Sequence, residues 1–478
     1  MIGILHGTIR SDQEASLEFY NSEPTDQRYL TLRSRCIDVV LDELRPIGLT
    51  DDQLSDYSYS HIKCLDFYRA GKMLTLYGKH TVARYVLSRG LAIARKFNFT
   101  ILECMILNEV KKIPLVLSDI STIRQNNSAT HKLFMTLYYE YVAEAAYNSV
   151  FALGDSFVLR PISIGESTSL NHTTTLEFID SVNEEYRSQS FRALCLRATI
   201  DYLIVQCDFH SALRKIDDSI RCYLDNPPPD QNNSVGELWL RRLELQIRTR
   251  ALTDTTDIYN PSEHFQSGVT EWCLGHTLTA FKLLYLGDFN RALSSALVLR
   301  KSLSIANVTT IAYEHRMLLE AYLWILTKLL PASEFGHPDP SSLFSFREST
   351  FLNSMNLLTE SKKGTNALVV IAHAFILLIQ NKEREAFRRI SYLNVYATRY
   401  FKDETEQRLW HCVKAMQKIP TFRARPHMMR DAMAPAIDRI RRLSDLPMKH
   451  GFNELVQWDV LLEAFIAWEI ERVSRQRQ

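Results

Sequence analysis

The chain has 478 residues, 46% of them hydrophobic and 23% charged, a balance that excludes a disordered or fibrous polypeptide. Its 56 basic and 55 acidic residues nearly cancel, so no global field draws it onto nucleic acid or an anionic membrane. Glycine and proline number only 15 each, against average usages of roughly 7% and 5%, and so few turn formers favour helices over a β-sandwich or a doubly wound sheet.

The N-terminus, Met1 to Gly7, has a brief apolar stretch with no basic residue ahead of it, which is not the pattern of a signal peptide. The eight cysteines (Cys36, Cys64, Cys104, Cys195, Cys207, Cys222, Cys273 and Cys412) stand singly, without a C-x-x-C pair. That spacing reads as reduced, mostly buried thiols in a cytoplasmic protein rather than a disulfide scaffold or zinc knuckle. His61 and Cys64 share a helical face at i, i+3, but a metal site needs further ligands and none is near in sequence.

Further along, Gln125 to Ser128 reads as a loop, followed by a helix over Lys132 to Val150. In that helix Phe134, Leu137, Tyr138, Tyr141, Val142 and Ala145 recur at three- and four-residue steps, which predicts one buried apolar stripe. Loops are expected over Gly154–Thr175, over Asp225–Ser234 with its Pro227-Pro228-Pro229, and over Pro331–Ser345. Ala367 to Ile379 is the longest apolar run. It is too short for a bilayer, which takes roughly 20 residues, and predicts a buried helix instead. A terminal helix is expected to pack through Leu455, Trp458, Leu461, Leu462, Phe465, Ile466 and Ile470, with Glu463, Glu469 and Arg472 elsewhere. These loops divide the chain roughly into 1–160, 161–330 and 331–478, as parts of one continuous array rather than independent domains.

Four places repeat one pattern. A short turn precedes a small residue by a fixed offset: Gly78-Lys79-His80 before Ala83, Cys207-Asp208-Phe209 before Ala212, Gly287-Asp288-Phe289 before Ala292, and Asn381-Lys382-Glu383 before Ala386. In each, an apolar residue follows the alanine four residues later (Leu87, Ile216, Ala296, Ile390), and Gly71, Ala280 and Ala374 supply small residues ahead of three of the turns. This resembles the tetratricopeptide-like class of helical-hairpin proteins. No unit has that consensus's opening Trp or closing Pro, and the alanines lie 129, 80 and 94 residues apart, so regular 34-residue tandem repeats are excluded. The expected fold is therefore all-α, an irregular α-α solenoid of stacked antiparallel hairpins with inserted loops.

The resemblance implies a groove lined by the first helix of each hairpin, which nominates Tyr68 and Lys72 in the first unit and Arg197 and Asp201 in the second. The matching positions of the fourth unit, Ile371 and Phe375, are apolar and predict cover by another element or a partner. No G-x-x-x-x-G-K-[ST], H-E-x-x-H or G-x-S-x-G motif occurs. The function expected from this is a non-enzymatic scaffold or adaptor that binds a protein or peptide partner, with no catalytic residue, cofactor, metal or membrane span. A peptide-responsive regulator is one alternative. The other is nucleic-acid binding through residues 421–450, where Arg423, Arg425, Arg430, Arg439, Arg441 and Arg442 gather.

Overall fold

The computed structural model describes residues 12–32, 35, 56–113, 120–154, 181–225, 231–252, 260–265, 269–302, 309–337, 339–340, 346–355, 365–401, 406–448 and 452–477. Among these the regular structure is entirely helical, with no strand. The chain divides into two compact units, Met1–Val116 and Leu117–Gln478. The divisions expected near 160 and 330 both fall inside the second unit.

The first unit holds α1 (Asp12–Tyr20), α2 (Asp56–Leu76), α3 (His80–Lys96) and α4 (Thr100–Val110). Helices α2 and α3 form a hairpin whose core is small: Cys64, Ala83, Leu87, Ala94, Phe99, Leu102, Ile106 and Ile113. The two helices approach closely through glycine. A Cβ on Gly71 would lie 2.4 Å from the Leu87 side chain, and one on Gly90 would lie 2.9 Å from Phe67 Cβ.

The second unit begins with α5 (Ile120–Gly154), α6 (Gln189–Val205), α7 (Phe209–Asp225) and α8 (Gln231–Thr249). It continues through α9 (Thr270–Tyr285), α10 (Phe289–Ser302), α11 (Thr310–Leu329), α12 (Glu348–Ser354), α13 (Thr365–Ile379) and α14 (Glu383–Tyr400). It closes with α15 (Gln407–Met416), α16 (Ile419–Phe422), α17 (Pro426–Arg442) and α18 (Trp458–Arg477). The loop expected over Gln125–Ser128 is instead part of α5. Asparagine and serine are only weak helix breakers, and flanking helical turns override them. Residues 231–234 likewise belong to α8, Pro331 precedes a short 3-10 turn, Ala332–Phe335, and the stretch 155–175 lies outside the described residues.

All four turn-and-alanine sites adopt one geometry. The first turn residue is left-handed in each, with φ of 73° at Gly78, 59° at Cys207, 78° at Gly287 and 58° at Asn381. The next amide (Lys79, Asp208, Asp288, Lys382) donates to a carbonyl five residues back (Leu74, Leu203, Leu283, Leu377) at 2.8 to 2.9 Å. That is a Schellman closure, which satisfies the last carbonyls of one helix while the chain reverses. The side chains of Asp208 and Asp288 then accept from the amides of Ser211 and Arg291, both at 3.1 Å, and so cap the following helix. Ala83, Ala212, Ala292 and Ala386 are all fully buried, because a larger side chain there would force the paired helices apart. A fifth closure of the same kind, at Asn98 with Phe99 donating to Ala94 at 2.8 Å, joins α3 to α4. It escaped the sequence pattern because Glu103, not alanine, stands at the corresponding position.

The main core runs through α9, α11 and α13, with α18 against α11. Ile371 and Phe375 are fully buried, as the fourth hairpin's apolar positions predicted, and the covering element is the chain itself: Phe375 meets Phe465 of α18 edge to face at 5.4 Å. The segment ahead of α18 also turns back on α8 and α9. Phe452 packs on Phe281 at 5.7 Å, Gln457 donates to the Tyr285 carbonyl at 3.0 Å, and Met448 exchanges backbone and side-chain hydrogen bonds with Arg248.

Candidate interaction surfaces

In the first unit, Lys72 and Tyr68 are one helical turn apart on α2, and the ammonium lies 3.4 Å from the phenol oxygen and 5.6 Å from the ring centre. The two nominated residues are therefore neighbours. Beside them runs a feature the sequence reading missed, an exposed apolar outer face of α2 comprising Tyr59, Ile62, Leu65, Met73 and Leu76, continued by Tyr77 just past the helix, with Asp66 and Arg69 between. Leu76 and Tyr77 are 75% and 72% exposed, far from the usual state of large apolar groups at a helix end. Three-residue steps at Tyr59-Ile62-Leu65 and Met73-Leu76 were the available signal, but nothing in the sequence said which α2 face turns inward.

Arg197 and Asp201 both reach one narrow pocket of the second unit, with Tyr147 of α5, Tyr223 of α7, and Glu237 and Arg241 of α8. Each is already engaged. Arg197 pairs with Glu237 at 2.5 Å, and buried Asp201 pairs with Arg241 at 2.8 Å. Burial raises the Asp201 carboxyl above its ordinary range, against the opposing pull of Arg241 and Arg197. Arg241 also contacts Glu244, which contacts Arg248, so alternating charges continue inward along α8. The enclosed space is about 20 Å³, one water-sized volume rather than a small-molecule cavity of roughly 300 Å³ or more.

Among the described residues of 421–450 the basic side chains do not form one face. Arg423 is buried, and its guanidinium pairs with Glu469 at 2.8 Å and donates to the Leu378 carbonyl at 2.7 Å. Glu469, read as lying off the apolar stripe of the terminal helix, is fully buried for the same reason: it neutralises Arg423 and also pairs with Arg472. Arg441 is held by Asp459 and Glu463 at 3.2 and 2.6 Å. Arg425, Arg430, Arg439, Arg441 and Arg442 are exposed. On α17, however, at 100° per residue, Arg430 and Arg439 point to opposite sides, with Asp431 and Asp438 on the exposed face between them.

The predicted stripe of α5 is inverted. Thr136, Glu140, Ala143 and Ala146 are buried, while Phe134, Tyr138 and Tyr141 are 50%, 54% and 56% exposed. Small residues win the inward face because α6 lies close against it, and Ser188, the N-cap of α6, donates its hydroxyl to Glu140 at 2.5 Å so that the buried carboxylate is satisfied. The Cys64 thiol contacts the Gly90 carbonyl at 3.4 Å and burial pushes it up to about 11, while exposed His61 lies edge-on to Phe99. Among the described residues no group of three or more potential ligands could hold a metal, and no helix is long and apolar enough to cross a membrane. No described protein family, no curated protein and no solved structure matches the chain.

Proposed function

We propose that this chain is a non-enzymatic, cytoplasmic interaction protein whose hairpins form a divergent tetratricopeptide-like array, and that it binds a protein or peptide partner through exposed helical faces. The observation that carries this reading is the outer face of α2, where five large apolar side chains are exposed along the helix and Tyr77 follows just past its end, with the Tyr68–Lys72 pair at their edge. Contiguous exposed apolar surface rimmed by polar groups marks interaction sites, and its mixture of aromatic, aliphatic and charged groups suits an amphipathic segment. A partner running along the inner helices of the second unit is less well supported, since Phe452, Gln457 and α18 lie against α9, α11 and α13.

The test is affinity capture with crosslinking from the native cell, using the full chain, Ile62→Glu and Met73→Glu. Both positions are exposed, so the variants should fold. Wild type is expected to recover a stoichiometric partner that both variants lose. Recovery unchanged by the variants, or no stoichiometric partner in repeated captures, would sink the reading. Nucleic-acid binding through 421–450 has weaker support, because the exposed arginines are interrupted by Asp431 and Asp438, Arg423 is buried in an internal ion pair, and Arg441 is already paired with Asp459 and Glu463.

A further inference from the structure

Two serines in the chain follow a pair of adjacent arginines at the same offset: Ser391 after Arg388-Arg389-Ile390, and Ser444 after Arg441-Arg442-Leu443. Two cationic side chains two and three residues ahead of a hydroxyl are what a basophilic protein kinase reads, through carboxylates beside its cleft. The sequence offers both serines alike, and the fold separates them. Such a kinase takes its substrate as an extended strand. Ser391 is exposed but lies in the middle of α14, flanked by Ile390 and Leu393, which are at most 1% exposed, so extending the backbone there would pull both out of the core. Ser444 is exposed in a turn two residues past the end of α17, and Pro447 keeps the chain after it out of a helix. Its two arginines are within reach: Arg442 is exposed, and Arg441 is 48% exposed, so its ion pairs with Asp459 and Glu463 yield readily to other carboxylates.

We propose that Ser444 is a phosphorylation site for a protein kinase that selects paired arginines, and that its phosphate loosens the hold of Arg250 on the segment between α17 and α18. In the transfer, a bond forms between Ser444 Oγ and the γ-phosphorus of ATP while the bond from that phosphorus to the β,γ-bridging oxygen breaks. ADP leaves with the bridging oxygen, and the serine proton passes to the catalytic aspartate of the kinase.

The consequence follows from what surrounds the turn. The Ser444 hydroxyl donates to Asp445 at 3.0 Å, and the carbonyls of Ser444 and Leu443 accept from Arg250 at 3.2 and 3.3 Å. The other arm of the same guanidinium holds fully buried Glu454 at 2.7 Å. A phosphate on Ser444 adds a charge of about −1.5 to −2 and removes the hydroxyl proton that Asp445 accepts. It repels that carboxylate, meets the negative end of α17, and competes with Glu454 for Arg250. Asp445 already favours the charged form of Arg250 from this turn, so an anion one residue earlier acts on the same guanidinium. Glu454 keeps Arg408 at 2.6 Å, so the loosening is partial. The site belongs to the second unit alone and does not rest on the partner face of α2.

Incubation of the full chain with ATP, magnesium and the catalytic subunit of cyclic-AMP-dependent protein kinase, followed by peptide mapping in a mass spectrometer, tests the site. Ser444 is expected to be phosphorylated about tenfold faster than Ser391 or more, and Arg442→Ala, a change at an exposed position, to slow the reaction by about tenfold. No phosphate on Ser444, labelling of Ser391 at an equal or greater rate, or a rate indifferent to Arg442→Ala would each overturn the assignment. The phosphorylated chain is then unfolded in urea beside Ser444→Ala carried through the same incubation. Its tryptophan-fluorescence midpoint is expected to lie below that of the variant. A midpoint equal to the variant's, or above it, would overturn the loosening of Arg250.

Discussion

The hairpin α2–α3 and the hairpin α13–α14 close on the same left-handed turn and bury the same alanine, yet the first helix of each meets a different fate. Along α2 only Cys64 and Gly71 are buried, and the outer face carries Tyr59, Ile62, Leu65, Met73 and Leu76 into solvent. Along α13, Leu368, Ile371, Ala372, Ala374, Phe375, Ile376, Leu377 and Leu378 are all at most 1% exposed, enclosed by α11, α14 and α18. A turn motif fixes the pairing of two helices. Whether the pair's open side becomes surface or interior depends on what returns to cover it.

In the second unit the returning segment is fastened by charge. Glu454 is fully buried and receives Arg250 at 2.7 Å, Arg408 at 2.6 Å and the Trp458 amide at 2.8 Å. Arg408 also donates to the Ile440 carbonyl, and Arg250 to the carbonyls of Leu443 and Ser444. The sharpest way to break the contrast between the two hairpins is thus Glu454→Ala, which leaves two buried guanidiniums uncompensated and should cost about 3–5 kcal/mol. All six tryptophans lie in the second unit (Trp239, Trp272, Trp324, Trp410, Trp458 and Trp468). Urea unfolding followed by tryptophan fluorescence should therefore show the loss directly, and a midpoint within error of wild type would count against the clasp.

A smaller effect is expected from pH. Burial holds His276 down at about 4 from an ordinary 6.5, beside Trp272, whose ring centre is 4.4 Å away. The folded state keeps this imidazole neutral while the unfolded chain protonates it, so its share of the stability is complete above pH 6.5 and is lost as pH falls toward 4. At about pH 5 the linkage, discounted for the solvent that reaches this partly buried ring, amounts to about 1 kcal/mol. His264, His373 and His411, also depressed by burial, act in the same direction, whereas Asp201 and Glu244, raised by burial, act in the opposite one. The comparison to make is therefore the difference between wild type and His276→Gln: the variant's fluorescence midpoint should fall less between pH 7 and 5, and parallel pH profiles would refute the assignment.

The smallest expected effect probes the first unit. Gly71→Ala places a Cβ 2.4 Å from Leu87, and overpacking should outweigh the gain in helix propensity, for a net loss of about 1–2 kcal/mol. Amide hydrogen exchange across α2 and α3 should accelerate while the tryptophan transition stays in place. Unchanged exchange would show that this hairpin yields more readily than its close glycine contacts imply.

Much of the local structure was legible in the sequence. Turns with a glycine, asparagine or aspartate two or fewer residues from the reversal, followed at fixed offset by alanine, located four helix pairs, because a left-handed turn residue and a small contact residue are local requirements. The buried helix of 367–379 was legible from its unbroken apolar run. Facing was not. In α5 the aromatic residues suggested the inward side, but proximity to α6 selected Ala143 and Ala146, with Glu140 satisfied by Ser188 from 48 residues away. The same holds for charge: Arg423 looked like surface, and only its meeting with buried Glu469 made it internal, while Arg441 stays exposed but is engaged by Asp459 and Glu463. The sequence by itself determined that the described regular structure is helical and where its chief reversals fall, since those depend on backbone preferences within a few residues. Tertiary structure alone decided which faces are buried, which charges are neutralised and which apolar stripes stay outside, because each depends on side chains brought together from tens to two hundred residues apart.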